Sequence, residues 1–215
     1  MYIDKDKIVI GKNILESLTT GMYADSEFLY REYIQNSSDA IDKALETGLI
    51  SELSEGKIHI LIDADDITIK DNGTGISSDD VIERLAHIAD SNKDRTKEKG
   101  FRGIGRLGGI GYCTTLKFIT SYKGEDTQTV FTVDCMKLKE ILYDSSKQIS
   151  AADCFSSCLD MDINDESVDE HYFTVYLAGV SDKKLLDTKN IRKYLSQIAP
   201  LPYNNAFKFK DTILN

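Results

Sequence analysis

The chain has 215 residues, 41% of them hydrophobic and 29% charged, with a formal net charge of −10. That length can bury one sizeable core, and the acidic balance argues against a surface that is wholly a nucleic-acid footprint, because phosphate binding wants a cationic face. No apolar run approaches the roughly 20 residues that span a bilayer, and the stretch from Met1 to Lys7 lacks the apolar centre of a secretory signal.

A cytoplasmic protein is therefore expected, with Cys113, Cys135, Cys154 and Cys158 as reduced thiols. Cys154 and Cys158 are four apart and can share a helix face. No second Cys pair or His-x-x-x-His follows them, so no zinc site is expected.

In chain order, residues 12–22 and 26–47 read as helices, the second with Asp25 or Ser26 as N-cap and Gly48 as its stop. Ile58, Ile60 and Ile62 alternate with polar neighbours, as do Ile67 and Ile69. The acidic stretch 63–66 between them predicts a tight turn and an antiparallel hairpin. Residues 78–90 read as helix and 91–111 as a Gly-rich charged loop. Strand patterns follow at 114–122, 128–134 and 172–177, then a helix at 183–198. Long helices beside a mostly antiparallel sheet predict an α+β, two-layer architecture. Pro200 and Pro202 end the last helix, which places a domain over 1–200 and the start of a linker to a following domain at 201–215.

Three segments carry chemistry. On the second helix Glu32, Asn36 and Asp39 are spaced i, i+4, i+7 and project from one face, while Tyr30, Ile34, Ile41 and Leu45 supply the apolar stripe. Glu32 and Asn36 stand about one helical pitch apart, roughly 5.4 Å along the axis. A carboxylate there can orient and deprotonate an attacking water, and an amide oxygen can coordinate Mg²⁺ beside phosphate oxygens. A solvated polar helix face is by far the commoner explanation of such a trio standing alone.

The second segment, Lys70 to Ile76, ends a strand in Asp71-Asn72-Gly73-Thr74-Gly75. Asp71 offers acceptors to the exocyclic amine of adenine, where guanine presents a carbonyl. An ordinary Asn-Gly turn is the alternative. The third segment runs from Lys99 to Gly111, and six glycines fall in the twelve residues from Gly100. Exposed backbone N–H groups make an anion cradle of such a stretch, and Lys93, Arg95, Lys97, Lys99, Arg102 and Arg106 make it cationic. No Gly-Lys-Ser/Thr completes a P-loop, and no βαβ unit surrounds it.

Taken in order, the segments resemble the signature of the Bergerat-fold ATPases, which include gyrase-type topoisomerases, heat-shock-ninety chaperones, sensor kinases and MutL-type repair proteins. Tyr23 to Lys43 resembles the N-terminal ATP-binding domain of the heat-shock-ninety chaperones without a gap. So does Asp71 to Ile76, followed at the family spacing by Leu85 to Ser91 and by the lid glycines Gly100, Gly103 and Gly105. The resemblance covers roughly residues 10–125. It implies Glu32 as general base, Asn36 as Mg²⁺ ligand and Asp71 as adenine reader. It also implies a lid that touches ATP through Gly100, Arg102, Gly103, Ile104 and Gly105, and a pocket lined by Asp39, Gly73, Gly75 and Ile76. Thr174 is the candidate for the late Thr that touches the base aspartate.

Some residues depart from that pattern. Arg84 stands where the chaperones carry a pocket Asn, and Asp90 where they carry Lys. Asn72 and the Gly100-Phe101-Arg102-Gly103 wording look like the MutL type. The resemblance implies a slow ATPase domain of a divergent chaperone, with protein clients, ATP or ADP and Mg²⁺ as ligands, and a dimer formed through regions outside this chain. A MutL-like DNA-transacting clamp and a nucleotide sensor without hydrolysis are the other readings.

Overall fold

The structure, a computed structural model, describes residues 11–19, 25–87 and 105–198. Its centre is α2, Phe28–Glu46, which follows the short α1, Asn13–Thr19. In α2 the buried residues Leu29, Tyr30, Tyr33, Ile34, Ser37, Ile41 and Ala44 recur at helical spacing. Leu45, expected in that stripe, is exposed, and Ala44 takes the core position. The N-cap is Glu27, without a side-chain cap; the Ser26 hydroxyl instead donates to Asp182 at 2.5 Å. The helix ends at Thr47 and Gly48, as expected, with Gly48 at φ 73.

β1 (Ile58–Asp63) and β2 (Asp66–Asp71) form the expected hairpin, with Ala64 at φ 52 in the turn. A 3₁₀ turn (Ser78–Asp80) and α3 (Val81–Ala86) occupy the first part of the expected 78–90 helix. Its residues 88–90, and 91–104 of the loop, lie outside the described residues. Chain order continues with a 3₁₀ segment (Gly105–Gly111), β3 (Thr115–Ser121), β4 (Thr127–Asp134), α4 (Cys135–Tyr143), α5 (Ala151–Ser156), β5 (Leu159–Asp165), β6 (Tyr172–Ala178) and α6 (Thr188–Ile198). α4, α5 and β5 were not expected. β5 escaped because Asp160, Asp162 and Asp165 give it an acidic pattern; it is an edge strand and largely exposed.

All five strand pairings are antiparallel, in the order β1-β2-β6-β3-β4-β5. Directly opposed residues share a face, so the register sorts the sheet into two sides. Ile67, Ile69 and Asp71 of β2 lie on the same side as Leu177, Val175 and Phe173 of β6 and as Leu116, Phe118 and Thr120 of β3. This side carries the core, with Phe118 stacked on Phe173 at 5.8 Å between ring centroids. Thr68, Lys70, Lys117 and Thr132 are on the other side. α2 packs over β1 and β2 and also against the Gly105–Gly111 segment, so the end of β2 and that segment both abut its flank.

Candidate functional site

The site is assembled where β2 ends beneath α2. Continuing the core face of β2 by two residues beyond Ile69 brings Asp71 into the interior, where it is 2% exposed. Its Oδ1 accepts from the Gly73 backbone N–H at 2.9 Å, and the Ser37 hydroxyl and the Phe173 backbone N–H also donate to it. Desolvation nonetheless wins. Burial pushes the Asp71 carboxyl up from 3.8 to about 6, against the opposing pull of Ser37, Gly73, Phe173 and the nearby His171.

The loop after Asp71 is fitted closely to its neighbours. Thr74 N–H donates to Ala40 O of α2 at 3.3 Å, and His171 Nδ1 lies 2.8 Å from Gly73 O. Gly75 has φ 66, and a Cβ on it would stand 2.0 Å from Ser121 O. Only glycine fits that approach. Ile76 N–H is held by Thr120 Oγ1 at 2.7 Å.

On the α2 flank Glu32, Asn36 and Asp39 are each partly buried. Gln35 donates to Asp39 Oδ1 at 3.0 Å, while the buried Asp39 Oδ2 has no hydrogen-bond partner among the described residues. A buried acceptor without a donor is costly, and it fits a site that a ligand completes. Gly105 supplies the other wall: a Cβ there would meet Glu32 Oε2 at 2.0 Å. The segment is anchored by Tyr33, whose hydroxyl donates to Arg106 O and accepts from Gly109 N–H, both at 3.0 Å. Arg106 itself donates to Leu85 O at 3.3 Å and to His87 O, bracing the end of α3. Burial lowers its pKa to about 10.

The structure thus brings Glu32, Asn36, Asp39, Asp71, Gly73, Gly75, Ile76 and Gly105 to one flank of α2. Gly100, Arg102, Gly103 and Ile104 lie outside the described residues. Thr174 is a correction. It pairs with Lys70, one residue out of step with the Asp71–Phe173 pair, so strand alternation turns its side chain to the face away from α2.

Three residues were missed. Thr120 sits on β3 and His171 immediately precedes β6, both distant in sequence, and nothing local marks them. Ser37 carried a signal, a hydroxyl within the apolar stripe of α2. The Asn72 cue toward the MutL type has a local explanation, since its side chain accepts from Lys57 N–H at 2.6 Å and donates to Glu55 O at 2.9 Å.

A one-sided antiparallel sheet, a helix flank bearing a carboxylate and an amide, and a buried aspartate beside a glycine turn define a nucleotide-binding domain of the Bergerat class. The model of the histidine kinase-, DNA gyrase B- and HSP90-like ATPases matches residues 24–164, well over half of the chain, and the chain belongs to that family. It is similar to the chaperone protein HtpG of Wigglesworthia glossinidia brevipalpis, at 29% identity over 92% of this chain and 30% of the relative. HtpG of Dechloromonas aromatica (strain RCB) is 42% identical over 40% of this chain and 14% of its own length. The mitochondrial heat shock protein 75 kDa of Bos taurus is 35% identical over 45% of this chain and 15% of its own. The chain therefore spans less than a third of the length of these curated relatives.

Proposed function

We propose that this domain binds ATP with Mg²⁺ and hydrolyses it slowly, as the nucleotide-driven part of a cytoplasmic heat-shock-ninety-like chaperone. The observation that carries the reading is Asp71, a buried carboxyl at a strand end beside a glycine turn, on the same helix flank as Glu32. In this reading Asp71 accepts from the exocyclic amine of adenine, with Ser37 and Gly73 fixing its orientation. Gly73, Gly75 and Ile76 form the wall against the base, and Asp39 Oδ2 receives a donor from the ligand or its water.

The phosphates run along α2 toward Gly105, where Glu32 orients the attacking water and takes its proton. Asn36 would hold Mg²⁺, which when bound neutralises charge on the phosphate oxygens. Arg106 is engaged at the end of α3, so we infer that the cation for the terminal phosphate comes from another part of the protein. The similarity to HtpG chaperones supports protein clients and dimerisation through other regions.

Calorimetric titration with ADP and GDP tests the base reading. We expect ADP to bind and GDP to bind far more weakly, since a site that pairs with one base edge leaves polar groups unpaired with the other. Equal affinities would remove Asp71 from its role.

A further inference from the structure

The Glu32, Asn36, Asp39 face of α2 does not stop at Asp39. Lys43, four residues on, and Thr47, four beyond that, continue the same face and line a cavity of about 380 Å³ with Leu49, Thr74, Gly75, Ile76, Asp80, Arg84 and Lys123. The volume is within the range of small-molecule sites. Its far walls come from α3, which supplies Arg84, and from the turn that follows β3, which supplies Tyr122 and Lys123. Gly75 and Ile76 are shared with the proposed adenine site, so this space adjoins that site at the end remote from Glu32.

The charges are uneven. Lys43, Arg84 and Lys123 line the cavity against one carboxylate, Asp80, in a chain whose net charge is −10. Arg84 Nε lies 3.6 Å from that carboxylate, which leaves the two lysines uncompensated by the lining. The nearby C-terminus of α2 does not offset them with open carbonyls. Lys43 O, Ala44 O and Leu45 O accept from the backbone N–H groups of Thr47, Leu49 and Gly48 at 2.8–3.1 Å.

We propose that this cavity is an anion subsite that takes a phosphoryl group, seated among Lys43, Arg84 and Lys123 with Thr74, Ser77 and Tyr122 as neutral partners. The inference rests on the adenine reading only for its neighbour, because the cations line the cavity whether or not a base binds beside it. The phosphoryl group can arrive on a free small metabolite or as an additional phosphate on the bound nucleotide.

Calorimetry separates these sources. Pyrophosphate is titrated into protein saturated with ADP, and adenosine 3′,5′-bisphosphate is compared with AMP. Saturable pyrophosphate binding identifies a free ligand; a gain of the bisphosphate over AMP identifies a nucleotide-borne one. In either case the Lys43→Gln/Arg84→Gln/Lys123→Gln variant is expected to weaken the anion about tenfold and to hold ADP affinity within about threefold. Lys123→Gln alone is expected to lose about threefold, and Asp80→Asn to strengthen the anion by freeing Arg84. Absence of both signals, or variants that bind the anion as the wild type does, would overturn the subsite. Loss of ADP binding with pyrophosphate binding intact would instead overturn the adenine reading alone.

Discussion

Asp71 concentrates the tension between stability and binding. Its carboxyl, at about 6 instead of 3.8, is more readily protonated in the folded chain than in the unfolded one. Its contribution to stability is therefore fully present below about pH 3.8 and is lost as pH rises through about 6, a cost on the order of 3 kcal/mol above that pH. Asp71→Asn should be more stable than the wild type at pH 7.5, and the difference should vanish near pH 4 when urea unfolding is compared across that range. ADP affinity should follow the opposite course in the wild type, falling below about pH 6 as the acceptor is neutralised. Glu32 has a separate role, on the water and not on the base. Glu32→Ala should lower turnover ~10²–10⁴-fold with ADP affinity nearly unchanged by calorimetry, and wild-type turnover in that variant would remove Glu32 as the base.

At the scale of elements, two joints hold the site open. The turn after β2 is locked by Gly75, where a side chain would face both a positive φ and Ser121 O at 2.0 Å. Gly75→Ala should cost about 3 kcal/mol in chemical denaturation and weaken ADP together with stability, because backbone cannot yield as a side chain does. The second joint is Tyr33, which ties α2 to the Gly105–Gly111 segment through two bonds at 3.0 Å. Tyr33→Phe leaves the buried Gly109 N–H without its acceptor and should cost roughly 1–3 kcal/mol. It should also lower turnover more than ADP affinity, since the loosened segment is the one packed against Glu32. A variant with unchanged melting and unchanged turnover would show that the segment is held by other contacts.

For the whole molecule, ligand binding and folding are linked through a site that joins the sheet to α2. ADP at about 100 times its dissociation constant should add about 2.7 kcal/mol, which for a domain of this size raises the melting temperature by roughly 5–10 °C. GDP at the same concentration should leave it near the free value. Equal shifts with both nucleotides would argue that the gain comes from the phosphates and not from base recognition by Asp71.

Much of this was legible in the sequence because it is local. The periodicity of α2 placed Glu32, Asn36 and Asp39 on one flank, alternation and the acidic turn defined the β1–β2 hairpin, and the resemblance in motif order implied the family. What the sequence could not determine depends on register and on partners far along the chain. Thr174 was drawn to the pocket by its residue type, yet one step of strand register turns it to the other face. Thr120 and His171 enter only because β6 is laid beside β2, and β3 beside β6, by long-range pairing. The outer cavity depends on the same kind of closure, since Lys43, Arg84 and Lys123 belong to three elements and their charges meet only when the sheet and helices pack. Local patterns are set by the geometry of one helix or strand, whereas the neighbours of a side chain across a sheet are set by the free energy of the whole core.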